Sequence, residues 1–142
     1  MTSDQTAHYH RLQDDMVQAM ISQAAKFGVN GAALACISQP GSSLNPTICF
    51  TDKISVGNAL DLLGRVLIKY ARSYTTNKLG TIYQINSRSK KNGHFGTLIV
   101  VATSEWIYIT AFSSNSQLHN ATIAKAGLLV AGFSELNTRR KR

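Results

Sequence analysis

Gly31-Ala-Ala-Leu-Ala-Cys-Ile-Ser38, Gln39-Pro-Gly-Ser-Ser43, Leu44-Asn-Pro-Thr-Ile-Cys-Phe50: the reading of this stretch decides the fold. Two runs with apolar character flank a Pro-Gly break, the pattern of strand, turn and strand in a hairpin. The first run is small and apolar almost throughout, which suits a central strand buried on both faces.

Working towards the N-terminus, Leu12, Met16, Met20, Ala24 and Phe27 fall at helical spacing, with Val17 and Ile21 widening the stripe. The spacing predicts a helix that starts near Leu12, carries Asp14 and Asp15 early and stops at Gly28. Residues 1–10 read as a flexible leader. Working the other way, Ser55 can cap a second helix running to Tyr74. Val56, Ala59, Leu60, Leu63, Val66, Leu67 and Tyr70 trace one of its faces, and Arg65, Lys69 and Arg72 the opposite one. Gly57, Gly64 and Ala71 form a narrower stripe, seven apart each time. Each glycine there costs about 1 kcal/mol of helix stability but lets another backbone come close. Its partner is either another helix of this chain or a second subunit.

Three strands are expected next, over Thr81–Arg88, Gly96–Thr103 and Glu105–Phe112. A polar connector, Ser87–Gly93, joins the first two, and a tight turn at Thr103-Ser104 joins the last two. A final helix is expected from Leu118 to about Leu136, with Thr122, Ala126, Leu129, Val130 and Phe133 inward. The order α-β-β-α-β-β-β-α implies an α+β domain, a single five-stranded antiparallel sheet flanked by three helices. The domain boundaries read as 11–136, with a basic tail over 137–142.

Composition agrees with one domain: 142 residues, 44% of them hydrophobic, and two prolines, Pro40 and Pro46, confined to the hairpin. The longest apolar runs, Ala32–Ile37 and Leu98–Ala102, are too short to cross a bilayer, and Met1–Arg11 has no signal-peptide core. Cys36 and Cys49, in apolar surroundings on adjacent strands, read as buried thiols of a cytosolic protein. The net charge is +8, but Arg139, Arg140, Lys141 and Arg142 supply four of those charges in the tail. A basic tail on a mildly basic body is not a basic groove. It would favour an anionic membrane surface or an acidic partner, at roughly 1 kcal/mol per charge near such a surface.

No phosphate-binding glycine motif, HExxH, paired CxxC or GxSxG elbow occurs, so no catalytic, cofactor-binding or metal-binding residues are assigned. Asp14 and Asp15 diverge on a helix, Asp52 and Asp61 flank the second helix, and Glu105 sits in a turn. None of these makes an acid/base pair. His8 and His10 form a lone HxH pair without a third ligand. His94 and His119 could each ligate a metal or haem, though no spacing demands it. Arg88, Lys90 and Lys91, near Tyr83 and Phe95, make the best nucleic-acid feature, yet no recognition signature accompanies them. Asn120-Ala-Thr122 matches a glycosylation sequon, a pattern common by chance.

The order of elements resembles the roadblock/LC7 family. Helix one leading into Gly28-Val-Asn-Gly-Ala-Ala-Leu-Ala-Cys-Ile37, then Gln39-Pro-Gly-Ser-Ser-Leu44, is similar to that family's opening, and Ser22-Gln-Ala24 with Gly28-Val29 and Gly41-Ser-Ser-Leu44 is similar in particular to Ragulator-type roadblock subunits. The second helix, and the Ile107–Phe112 strand leading to a small-residue-rich last helix, fit the same plan. The likeness spans residues 10–136 and rests on pattern rather than on an invariant motif. It implies a roadblock/profilin-like fold and a non-catalytic adaptor that dimerises with itself or a paralogue and binds small GTPases or scaffold subunits, with recruitment to an endomembrane surface. The interface it implies takes in Gly57, Leu60, Asp61, Gly64, Ile68 and Ala71 on the second helix and Thr81, Tyr83 and Ile85 on the strand after it. The Arg88–Gly93 connector and the tail depart from the family's pattern. A weaker resemblance, to haem-binding proteins of the GlcG/HbpS type, rests on Phe112-Ser-Ser-Asn-Ser116 and Ile123-Ala-Lys-Ala-Gly-Leu128. It implies a haem or small-ligand binder instead. That family's Asp-x-x-Gly after the first strand is absent here. A weak nucleic-acid binder is the third alternative.

Overall fold

The computed structural model describes residues 2–39, 42–43, 45–54, 82–89, 94–103, 105–116, 118–133 and 139–140. Helix α1 spans Ser3–Phe27 and opens on a capping box. The Thr2 hydroxyl accepts from the Gln5 amide at 3.1 Å, and the Gln5 side chain accepts from the Thr2 amide at 3.0 Å. Residues 3–10, read as a flexible leader, are therefore the first turns of α1. Gly28 ends the helix in the left-handed conformation at φ 66°, its amide turned back to the Ala24 and Ala25 carbonyls.

The strands are β1 (Gly31–Gln39), β2 (Ser42–Ser43), β3 (Thr47–Phe50), β4 (Ile82–Ser89), β5 (His94–Ala102), β6 (Ile107–Ser114) and β7 (Arg139–Arg140). A second helix, α2, spans Asn120–Val130. The four long strands lie side by side in the order β1-β6-β5-β4, all antiparallel. Short β2 and β3 pair with the outer side of β1, and β7 pairs in parallel with the outer side of β4.

This corrects the expected five antiparallel strands and three helices. Among the described residues there are two helices and an antiparallel sheet of four long strands, with short segments at its borders. The strand expected over Leu44–Phe50 is cut down to Thr47–Phe50. Pro46 lacks an amide hydrogen and restricts the residue before it, so pairing starts only after it. The helix expected over 56–74 lies outside the described residues.

Where the ladder on β1 is interrupted, a side chain completes it. Ser38 and Gln39 pair with β2, and Ala32–Ala35 pair with β3. Between them, the Ile37 amide donates to Gln13 Oε1 at 2.8 Å. Gln13 Nε2 in turn donates to the Asn45 carbonyl at 2.9 Å and to the Thr47 hydroxyl at 3.1 Å. Gln13 is completely buried, and these bonds satisfy both ends of its amide.

Both faces of the sheet are apolar and closed. On one, Ala33, Ala35, Ile37, Ile99, Val101 and Phe112 pack against Met16, Val17 and Met20 of α1 and Ile123, Ala124 and Leu128 of α2. On the other, Leu34, Cys36, Leu98, Val100, Ile109 and Ala111 form a second buried cluster. The double burial read from Gly31–Ile37 is what β1 shows. The helices run antiparallel: Gly127 of α2 sits on Met16 and Met20, while His119 at the start of α2 reaches Phe27 at the end of α1. A Cβ at Gly127 would lie 3.2 Å from the Met16 carbonyl and 3.1 Å from the Thr110 methyl, so this glycine sets the helix spacing.

The inward face expected for the last helix is corrected. Asn120, Ile123, Ala124, Gly127 and Leu128 are buried, whereas Thr122, Leu129 and Val130 are exposed. The helix is apolar nearly all round, and the stripe with the smaller residues wins because it lets α1 come close. It also ends earlier than Leu136: the Ala131 and Gly132 amides turn back onto Leu128 and Leu129, with Gly132 at φ 98°.

Candidate functional site

The residues singled out from the sequence fall into three groups. Gly57, Leu60, Asp61, Gly64, Ile68, Ala71 and Thr81 lie outside the described residues, as do Lys141 and Arg142. Tyr83 and Ile85 are on β4, opposite Val100 and Leu98 of β5. Arg139 and Arg140 form β7 and stand beside Tyr83 and Gln84 in a parallel pair. Two of the sequence-based sets, Tyr83 with Ile85 and the arginines of the basic tail, thus meet at one border of the sheet.

That border has a distinct build. β4 is an eight-residue strand whose inner side is paired along its whole length with β5, from Ile82↔Val101 to Ser89↔His94. On its outer side, among the described residues, only Tyr83 and Gln84 have register partners, both in β7. Among the described residues, the outer side of Ile85–Ser89 has no register partner. Beside it is a small polar cluster: Asn86 Oδ1 accepts from Gln84 Nε2 at 2.9 Å and from the Thr97 hydroxyl at 2.9 Å. Gln84 and Thr97 are buried while Asn86 is exposed, so the apolar interior ends here in hydrogen-bonding groups.

A second feature lies at the far end of α1. The Phe27 and His119 rings stack at 4.0 Å between centroids with planes 7° apart. They line a hollow of about 420 Å³ together with Asn30, Asn115, Ser116 and Leu118. His119 has φ 74°, the left-handed region that non-glycine residues rarely occupy. The loop before it is tied down. The Ser114 hydroxyl donates to Asn120 Oδ1 at 2.7 Å, and Asn120 Nδ2 donates to the Ser116 carbonyl at 2.7 Å. Asn120, the sequon asparagine, is buried and engaged in these bonds, which gives a glycan no room. A neighbouring hollow of about 340 Å³ is lined by Thr51, Asp52 and Lys53 with Ile21, Ala25 and the Gly28–Asn30 turn.

Elsewhere the candidate chemistry does not converge. His8 and His10 are on α1, with His8 edge-on to the Tyr9 ring. Asp14, Asp15, Asp52 and Glu105 are exposed. Among the described residues no three histidine, cysteine or acidic groups gather as they would around a metal ion. Cys36 and Cys49 are not joined in a disulfide. They belong to opposite faces of the sheet, and Cys49, expected to be buried, is half-exposed beside Gln18. Lys90 and Lys91 are outside the described residues, with Arg88 opposite Phe95 in the β4–β5 hairpin. At the opposite end of the helix layer, Tyr9, Trp106, Tyr108 and Phe133 form an aromatic group. Burial first, then the phenol of Tyr9 and its hydrogen bond, push the Tyr108 phenol above its ordinary value. None of the helices in the described residues is long and apolar enough to cross a membrane.

Compared with family models, curated proteins and solved structures, the chain finds no match.

Proposed function

We propose that this chain is a non-catalytic adaptor that pairs with a second copy or a paralogue through the outer side of β4 and then docks a small GTPase or scaffold subunit. The observation that carries the reading is the border position of β4, with Ile85–Ser89 unpaired on the outer side among the described residues. Two β4 strands meeting there would extend one sheet across two subunits, using backbone bonds that need no special side chains. Two features of the sequence support it: the resemblance to roadblock proteins, which pair through this strand and the helix before it, and the small-residue stripe Gly57, Gly64 and Ala71 in that preceding segment. The arginines of the basic tail suit an acidic partner or an anionic membrane surface.

Light scattering over a concentration series tests the reading. The full chain should dimerise, and Ile85→Lys, which sets a charge on the border strand, should weaken the dimer at least tenfold with an unchanged circular dichroism spectrum. Gly64→Leu should weaken the same association. No association at high concentration, in the full chain or in Arg139→Pro/Arg140→Pro, refutes the adaptor reading, and unfolding of Gly64→Leu places that stripe against the chain's own core.

One observation favours a second reading, a planar small ligand such as haem. His119 is exposed, held in an unusual backbone conformation and stacked flat on Phe27 at the mouth of a hollow. A titration followed at the Soret band decides: stoichiometric binding lost in His119→Ala would replace the adaptor reading.

A further inference from the structure

The one parallel pair in the described sheet joins segments that lie about fifty residues apart, and it falls on the border strand. We propose that Arg139–Arg140 is an internal cap on β4: it occupies part of the outer side of that strand and competes with the incoming strand of a second copy. The proposal rests on the adaptor reading and adds its regulation.

Three features make the cap weak enough to be displaced. Its described part is two residues long, against the eight residues of β4. It is parallel, the less stable of the two pairing modes per residue. Both of its residues are arginines, long side chains that lose much freedom when ordered. A backbone hydrogen bond adds little net once the bonds to water are counted, and ordering each residue costs a similar amount. The capped and uncapped forms therefore lie close in free energy. A partner strand aligned along Ile82–Ser89 gains several bonds where the cap gains one or two. The cap has the advantage of being tethered, which gives it a high local concentration at the same backbone groups. The result is a threshold: association waits until a partner outweighs the tethered segment.

The test is sedimentation velocity on the full chain, the double variant Arg139→Pro/Arg140→Pro, and each of these with Ile85→Lys added. Proline removes the amide donors of the cap without touching β4. The double variant is expected to dimerise about tenfold more tightly, the effect of one or two net backbone hydrogen bonds. At concentrations where both are monomeric, whichever of the Tyr83 and Gln84 amides faces β7 should exchange hydrogen faster in the double variant. An unchanged dissociation constant, with association still lost on Ile85→Lys, overturns the cap and leaves the border interface standing. Association that ignores Ile85→Lys, or none in any of the four proteins, overturns the border interface and the cap together.

Discussion

The two borders of the sheet are finished in different ways. On the β1 side, the outermost strand is only four residues long, starts just after Pro46 and is tied to α1 through the buried amide of Gln13. The Thr51 amide and the Gly31 carbonyl close it at 3.0 Å, and the Gly31 amide returns a bond to the Thr51 hydroxyl at 2.9 Å. Short length, proline and a side-chain plug are the usual ways a protein blunts an edge. On the β4 side, the strand is twice as long and its described neighbour covers two residues of it. Among the described residues, the same sheet is thus blunted at one border and paired over only two residues at the other.

Substitutions can break or sharpen this contrast. The largest effect is expected at Gly31, at the start of β1. A side chain there would collide with the Ser113 carbonyl and lie 2.9 Å from the Phe112 ring. Gly31→Val should cost about 3 kcal/mol in urea denaturation, or prevent folding, because both neighbours are held by the sheet and the core. Next comes Gln13→Leu, which strands the Ile37 amide and the Asn45 carbonyl. A loss of about 2 kcal/mol is expected, against less than about 1 kcal/mol for Asn86→Ala beside the other border. Equal losses at the two sites would show that the borders do not differ as described.

The smallest effect concerns Tyr108, which pairs with Ile37 on the closed side. Its phenol is raised by burial, so the folded chain holds that proton at a pH where the unfolded chain has begun to release it. The stabilising contribution is whole below about pH 10, the ordinary tyrosine value, and declines as the pH rises through the folded-state value. Wild-type urea midpoints should therefore fall more steeply between about pH 9 and 11 than those of Tyr108→Phe. Parallel profiles would mean that the hydroxyl is as free as an exposed one.

Much of this fold was legible in the sequence because local signals were strong. The stripe from Leu12 to Ala24, the stop at Gly28 and the apolar run of β1 each have a direct physical reading and each is seen, whereas Phe27, read as part of that stripe, is exposed. The positions of the last three long strands also follow from their apolar runs, with ends shifted by one to two residues. The capping box at Thr2-Ser-Asp-Gln5 was equally available, and reading it would have placed Ser3–His10 in the helix. The inward face of α2 was not legible, since Ile123, Leu128, Leu129 and Val130 crowd all sides of that helix and only the approach of α1 selects among them. Nor could β7 be read in advance: two arginines have no strand character, and their pairing depends on a strand about fifty residues away. The stack of His119 on Phe27 joins residues more than ninety positions apart, again beyond local pattern. At the candidate site, Tyr83 and Ile85 were placed on a strand correctly, but the polar cluster of Gln84, Asn86 and Thr97 depends on the β4–β5 register.

The pairing of β1 with β6 has a consequence for how the chain is made. Gly31 meets Ser114 and Ser38 meets Ile107, so β1 waits for a long partner strand synthesised some seventy to eighty residues later. β4, β5 and β6 follow one another and can form as local hairpins, whereas β1 must find β6 across a long loop, the slow kind of contact. At ordinary elongation rates of about 5 to 20 residues per second, the inner side of β1 goes unpaired for several seconds on each ribosome. Its residues are Ala32, Ala33, Leu34, Ala35, Cys36 and Ile37, an uncharged apolar run. Nascent chains of this protein should therefore depend on chaperones until β6 emerges, and slower elongation between Phe50 and Ile107 should lengthen that dependence.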